Sequence, residues 1–152
     1  MKAITLDIRT GSHTEFINIT SRVQQAVTDS GVTDGLCVIF VPHTTAAVTI
    51  NENADPDVVR DMKTELEKIV PWEDGYRHYE GNSAAHLKAS MIGFSEQVII
   101  EDGRLVLGTW QGIYFCEFDG PRNRKLKIKI LGPLEEQDSS FRMRDTSGRS
   151  AT

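Results

Sequence analysis

Between residues 36 and 57 the apolar spacing changes period twice, and this constrains the fold more than any other stretch. Leu36-Cys37-Val38-Ile39-Phe40-Val41 is a continuous apolar run of the length expected for a buried strand. Pro42-His43-Thr44-Thr45 interrupts it, and Val48-Thr49-Ile50 resumes with the alternation of a second strand. Asp55-Pro56 then marks a helix start. The Asp carboxylate accepts from amides of the first turn, and the proline stands where no N–H is needed. Polar residues collect at both joints: His43, Thr44 and Thr45 at the first, Asn51, Glu52, Asn53 and Asp55 at the second. Side chains of this kind at element ends are where a rigid scaffold carries a binding site.

The remaining elements follow from the same signals. Residues 2–10 alternate as a strand with Ile4, Leu6 and Ile8 on one face, and Gly11-Ser12 turns them into a second strand at 15–19, predicted to pair with the first as a hairpin. Thr20 is placed to cap a helix over 21–30 whose Val23, Ala26 and Val27 face inward and which Gly31 ends. Strands are expected at 35–42 and 46–51. The helix from Pro56 runs to about residue 70, with Val58, Val59, Met62, Leu66 and Ile69 at helical spacing, and Pro71 stops it. A polar, aromatic loop over 72–81 precedes a short helix at 84–91, capped by Asn82 or Ser83 and terminated by Gly93. Strands at 97–100 and 104–107 form a hairpin around Glu101-Asp102-Gly103, and another strand covers 113–118. Residues 125–131 alternate with Lys125, Lys127 and Lys129 outward, a half-exposed strand protected by charge. This order predicts an α+β fold with largely antiparallel pairing. Residues 1–133 form one domain, and the polar stretch 134–152 is a C-terminal extension expected to be flexible and dispensable for folding.

Composition narrows the function classes. A formal charge of −5 removes the electrostatic case for nucleic acid or acidic lipid. The 39% hydrophobic and 26% charged residues are those of an ordinary globular protein. Cys37 and Cys116 sit inside apolar β-like runs, as small core residues rather than a disulfide or a metal clip. The opening residues alternate as a strand rather than forming a leader, and no stretch is long enough to span a membrane. A cytoplasmic setting is therefore expected.

Two further constellations carry chemistry. In Tyr76-Arg77-His78-Tyr79-Glu80-Gly81-Asn82-Ser83-Ala84-Ala85-His86-Leu87-Lys88, a loop folding back on the helix start brings His78 toward His86. Together with His43 this makes three imidazoles, the ligand count of a catalytic zinc site with one position open, and Glu80 is available to fix a tautomer. The alternative is that these histidines only hydrogen-bond. The amides at 82–85 and the positive end of the helix dipole also suit a phosphate, with Lys88 and Arg77 adding charge, unless Lys88 is simply solvated. In Leu105-Val106-Leu107-Gly108-Thr109-Trp110-Gln111-Gly112-Ile113, followed by Glu117, an indole beside an amide suits a heteroaromatic ring, unless Trp110 is core.

Pro42-His43-Thr44-Thr45-Ala46-Ala47, Asn51-Glu52-Asn53-Ala54-Asp55-Pro56-Asp57, His86-Leu87-Lys88-Ala89 with Gly93, and Gly103-Arg104-Leu105-Val106-Leu107-Gly108-Thr109-Trp110-Gln111 together resemble the YjbQ-like (UPF0047) family, also called the secondary thiamine-phosphate synthase family. The resemblance covers about residues 1–132. It implies a two-layer antiparallel β-sandwich with about three helices, forming a homotrimer around a threefold axis. It also implies a metal and anion pocket near subunit boundaries and a weak, secondary thiamine-phosphate synthase (transferase) activity. Carried over by position, His43, His78 and His86 are the metal ligands, with zinc or magnesium as the divalent cofactor. Lys88, Glu52 and Asn51 are the catalytic positions, and Asn82, Ser83, Lys88, Trp110 and Gln111 contact the substrate or its anion. Ala84 departs from the acidic residue of many relatives, which leaves that position without a ligand or orienting role.

Joining a pyrimidine methyl diphosphate to a thiazole phosphate needs a neutralised leaving group and two rings held in register, which a histidine–metal pocket, Lys88 and Trp110 would supply. The expectation is thus a metal-assisted enzyme on small phosphorylated or heteroaromatic substrates. The alternatives are a non-catalytic trimer that binds a metal or an anion, and a metal-dependent phosphate-ester hydrolase.

Overall fold

A computed structural model describes residues 2–133, and the expected C-terminal extension from residue 134 lies outside the described residues. The elements are β1 (Ile4–Arg9), β2 (Glu15–Asn18), α1 (Thr20–Ser30), β3 (Asp34–Phe40), β4 (Ala46–Glu52), α2 (Pro56–Ile69), α3 (Ser83–Ile92), β5 (Ser95–Glu101), β6 (Arg104–Leu105), β7 (Gln111–Glu117) and β8 (Asn123–Leu131). They form a five-stranded sheet in the order β1-β8-β3-β5-β6 and a three-stranded sheet in the order β2-β7-β4. Every pairing is antiparallel.

Three local signals are read faithfully by the fold. Asp55 caps α2, its Oδ1 accepting from the Asp57 amide at 2.9 Å, with Pro56 in the first turn. Gly31 ends α1 in the left-handed region at φ 71. Asp102 and Gly103 turn β5 into β6 with φ values of 51 and 73. Positive φ at both central residues is the geometry whose twist matches the flanking strands.

Non-local pairing departs from expectation in two places. The hairpin expected between β1 and β2 is absent: β1 pairs with β8 and β2 with β7, in different sheets. The intervening turn bonds to the β7–β8 connection instead, through Thr10 N–H to Arg122 O and Gly120 N–H to His13 O. It thereby carries the chain across the sandwich. The lysine-rich strand β8 does alternate, but it lies between β1 and β3 in the sheet interior and needs no charge to protect an edge.

The layers explain the periods. A large core fills the space between the two sheets and α1, with Val23, Val27, Ile39, Val48, Ile100, Phe115 and Ile128 among its members. A second core, built by Ala47, Leu66, Ala85, Ala89, Tyr114, Cys116 and Phe118, packs α2 and α3 on the other face of the three-stranded sheet. β7 is thus buried on both faces, which is why its sequence is a nearly unbroken apolar run. The five-stranded sheet buries one face only, so β8 alternates. Thr20 is helical rather than a cap: its hydroxyl donates to Asn18 and accepts from the Ile113 amide. Ile69, expected to face inward, is 61% exposed at the last turn of α2.

Candidate functional site

The loop after α2 and the first turn of α3 together shape a groove of about 350 Å³ lined by Tyr76, Arg77, His78, Ser83, His86 and Leu87. His78 and His86 meet there edge to face, with ring centroids 5.2 Å apart. α3 begins without a side-chain cap, because Asn82 turns its Nδ2 to Asp119 at 3.0 Å. The amides of the first turn are therefore left without a capping side chain, and no acidic residue occupies that turn. Asn82 Oδ1 is buried with no hydrogen-bond partner among the described residues.

His43 is engaged elsewhere. Its Nε2 accepts from the Lys125 amide at 2.8 Å, so the neutral ring carries its proton on Nδ1. Burial, followed by the Arg124 guanidinium, holds this imidazole below the usual histidine range. It lines a separate apolar groove with Phe40, Val41, Pro42, Thr44 and Phe94. Beside it lies a buried polar latch. Glu117 is 0% and Arg124 3% exposed, and the guanidinium binds the carboxylate through both Nε and Nη2. Arg124 Nη2 also donates to Thr45 Oγ1 at 2.8 Å, and Thr10 donates to Glu117 Oε1 at 2.8 Å. The latch joins β1, β4, β7 and β8 at one end of the sandwich. Its signal was in the sequence: Glu117 stands in an apolar run, and Arg124 is in phase with the inward residues Leu126, Ile128 and Ile130. A charge in such a position demands a partner.

The other sequence candidates are spread over the molecule. Lys88 is 2% exposed, sealed between α3 and α2, and its ammonium is paired with Glu67. That pairing holds the Glu67 carboxyl below its usual range. Asn51 and Glu52 stand at the far end of β4 from His43, where the Asn51 side chain accepts from the Glu52 amide and the Glu52 carbonyl accepts from Tyr114. The 7 residues of β4, at about 3.3 Å each, separate the two joints by on the order of 20 Å. Trp110 is 63% exposed on the turn before β7 rather than in the core. Gln111 uses Oε1 to accept the Gly108 amide and so shapes that turn.

The donor set does not fit the divalent metal that the resemblance implies. Among the described residues no three His, Cys, Asp or Glu side chains are grouped to hold an ion. His78 and His86 come together, but the Nε2 lone pair of His43 is already committed to a backbone amide. No helix among the described residues is long and apolar enough to cross a membrane.

Residues 4–133 match the model of the family "UPF0047 protein YjbQ-like". The UPF0047 protein YugU of Bacillus subtilis is 55% identical over 84% of this chain and 98% of its own. A UPF0047 protein of Methanocaldococcus jannaschii is 50% identical over 82% of this chain and 91% of its own. The crystal structure of a yjbq/upf0047 family protein from Clostridium acetobutylicum superposes with a TM-score of 0.83 at 58% identity, covering 84% of this chain and 99% of that one. A YbjQ-like protein of unknown function from Sulfolobus solfataricus gives the same TM-score at 34% identity, covering 86% and 96%. Nothing in these likenesses supports a metal-assisted, transferase or thiamine-phosphate activity, and no cluster of metal ligands stands among the described residues. The expectation of a metal-assisted enzyme is corrected accordingly. In sequence and in fold, the chain belongs to the UPF0047 YjbQ-like family.

Proposed function

We propose that the protein is a binding subunit for a small phosphate-bearing molecule, held in the groove at the start of α3. The observation that carries this reading is the convergence of His78 and His86 with Arg77 and Ser83 around an uncapped helix start. Side-chain donors gathered at the start of α3 offer one anion several hydrogen bonds, and the helix dipole favours its charge. Lys88 plays no part in this reading, because its ammonium is sealed against Glu67. The test is calorimetric titration with inorganic phosphate. A His78→Ala/His86→Ala double variant should lose about tenfold or more in affinity, as expected for removing hydrogen bonds to a charged group. Lys88→Met should bind as the wild type does. Equal affinities in wild type and double variant would overturn the reading.

The subunit works as a trimer in this proposal. Support comes from the outer face of the five-stranded sheet, where cross-strand neighbours Leu131, Leu36 and Ile99 form an apolar row beside Val38 and Phe40. Ile99 is 55% and Phe40 46% exposed within the single chain. A contiguous apolar patch on a sheet face suits a contact between copies, and three copies close a ring when this patch of one meets a different surface of the next.

A further inference from the structure

We infer that the His13–Asp119 pair is a pH-operated clasp on the loop that forms one wall of the groove. The inference rests on the binding reading above only for its consequence, since the clasp itself is a matter of geometry. The loop runs from Trp72 to Asn82, and both of its ends are tied to this one pair. At the start, the Trp72 indole meets the His13 ring edge to face at 4.4 Å between centroids. At the end, Asn82 Nδ2 donates to Asp119 Oδ2 at 3.0 Å. Between these anchors the loop supplies Tyr76, Arg77 and His78 to the groove.

His13 Nε2 lies 3.9 Å from Asp119 Oδ1, too far for a hydrogen bond but close enough for Coulombic attraction once the ring is charged. The other carboxylate oxygen is taken by Asn82 and by Arg122 Nη2, so Oδ1 is the oxygen directed at the histidine. His13 is held in place by its carbonyl, which accepts from Gly120 N–H, and by Nδ1 against Thr14 Oγ1. The charged groups around it come from every neighbouring element. Glu67 of α2 accepts from the Trp72 amide and is paired with Lys88 of α3. Lys63 and Lys68 of α2 line the adjoining groove with Thr14. Arg122 sits on Asp119, and Glu15 accepts the Gly11 and Ser12 amides within the turn itself. A protonated His13 thus meets Asp119 through the Oδ1 that Asn82 and Arg122 leave open, and Glu67, whose carboxyl the His13 charge also helps to lower, adds attraction from α2. Acidification therefore tightens the pair, strengthens the attraction of the charged ring for the Trp72 indole, and holds the loop more firmly at both ends.

The test uses the full chain with Trp110→Phe, so that Trp72 is the sole indole. An imidazolium against an indole quenches its fluorescence, so emission should fall in one sigmoidal step on acidification, and His13→Gln in the same background should abolish the step. The protection of amides 72–82 against hydrogen exchange, taken relative to the intrinsic exchange rate at each pH, should rise by about two- to five-fold below the step, as an exposed ion pair allows, and only where His13 is present. A fluorescence step that persists in His13→Gln, or loop exchange insensitive to His13, overturns the clasp. Phosphate titration on either side of the step separates the two readings. A His13-dependent step in a protein that does not bind phosphate keeps the clasp and removes the binding reading. Phosphate binding without the step does the reverse.

Discussion

At the scale of single residues, His43 is the most consequential position, because its Nε2 is fixed by the Lys125 amide and its charging is opposed by burial and by Arg124. The folded state binds this proton less readily than the unfolded chain does. Stability from this group is therefore present above the unfolded histidine value of about 6.5 and is lost as pH falls below it. Chemical denaturation between pH 8 and pH 5 should show this loss, and His43→Gln should show less of it. The lowered carboxyls of Asp7 and Glu67 act further down, in the range where carboxylates titrate. The latch makes a second residue-scale prediction. Glu117→Gln leaves Arg124 buried beside a neutral amide, and urea denaturation should show a loss of about 3–5 kcal/mol.

At the scale of elements, one helix start, one helix end and one turn were legible because their physics is local, whereas the caps expected at Thr20 and at Asn82 or Ser83 gave way to partners elsewhere in the fold. Asp55 and Pro56 start α2, Gly31 ends α1, and Asp102-Gly103 makes the β5–β6 turn, each from neighbours within a few residues. Asp55→Ala should cost about 1 kcal/mol in thermal or urea unfolding, the usual worth of an N-cap. Gly103→Ala should cost about 1 kcal/mol or more, because an alanine side chain crowds its own backbone at the φ of 73 found there. Lys88 was less legible. Its place on α3 was clear, but whether its ammonium faced solvent, ligand or a carboxylate depended on where α2 came to lie.

At the scale of the whole molecule, the apolar outer face of the five-stranded sheet predicts self-association. Light scattering should give a mass of three chains, and Ile99→Asp should lower it by charging the middle of the row. A monomer mass for the wild type at micromolar concentration would contradict the trimer.

What the amino-acid sequence determined by itself was the list of elements, the start of α2 and the end of α1, and the class. The alternation of Leu126, Ile128 and Ile130, the helical spacing of Val59, Met62 and Leu66, and the capping residues each act over less than two turns of chain. What the tertiary structure decided was which strand lies beside which, and hence which polar groups meet. β1 and β2 read as a hairpin, yet the turn between them bonds to the 119–122 connection more than a hundred residues away, as Thr10 and Glu117 do across a separation of 107. The two polar joints of the 36–57 stretch looked like one site because they are close in sequence. An extended strand rises about 3.3 Å per residue, so β4 holds them at opposite ends of the sandwich. His78 and His86 meet for the opposite reason: a loop has no fixed rise and folds back onto the helix start.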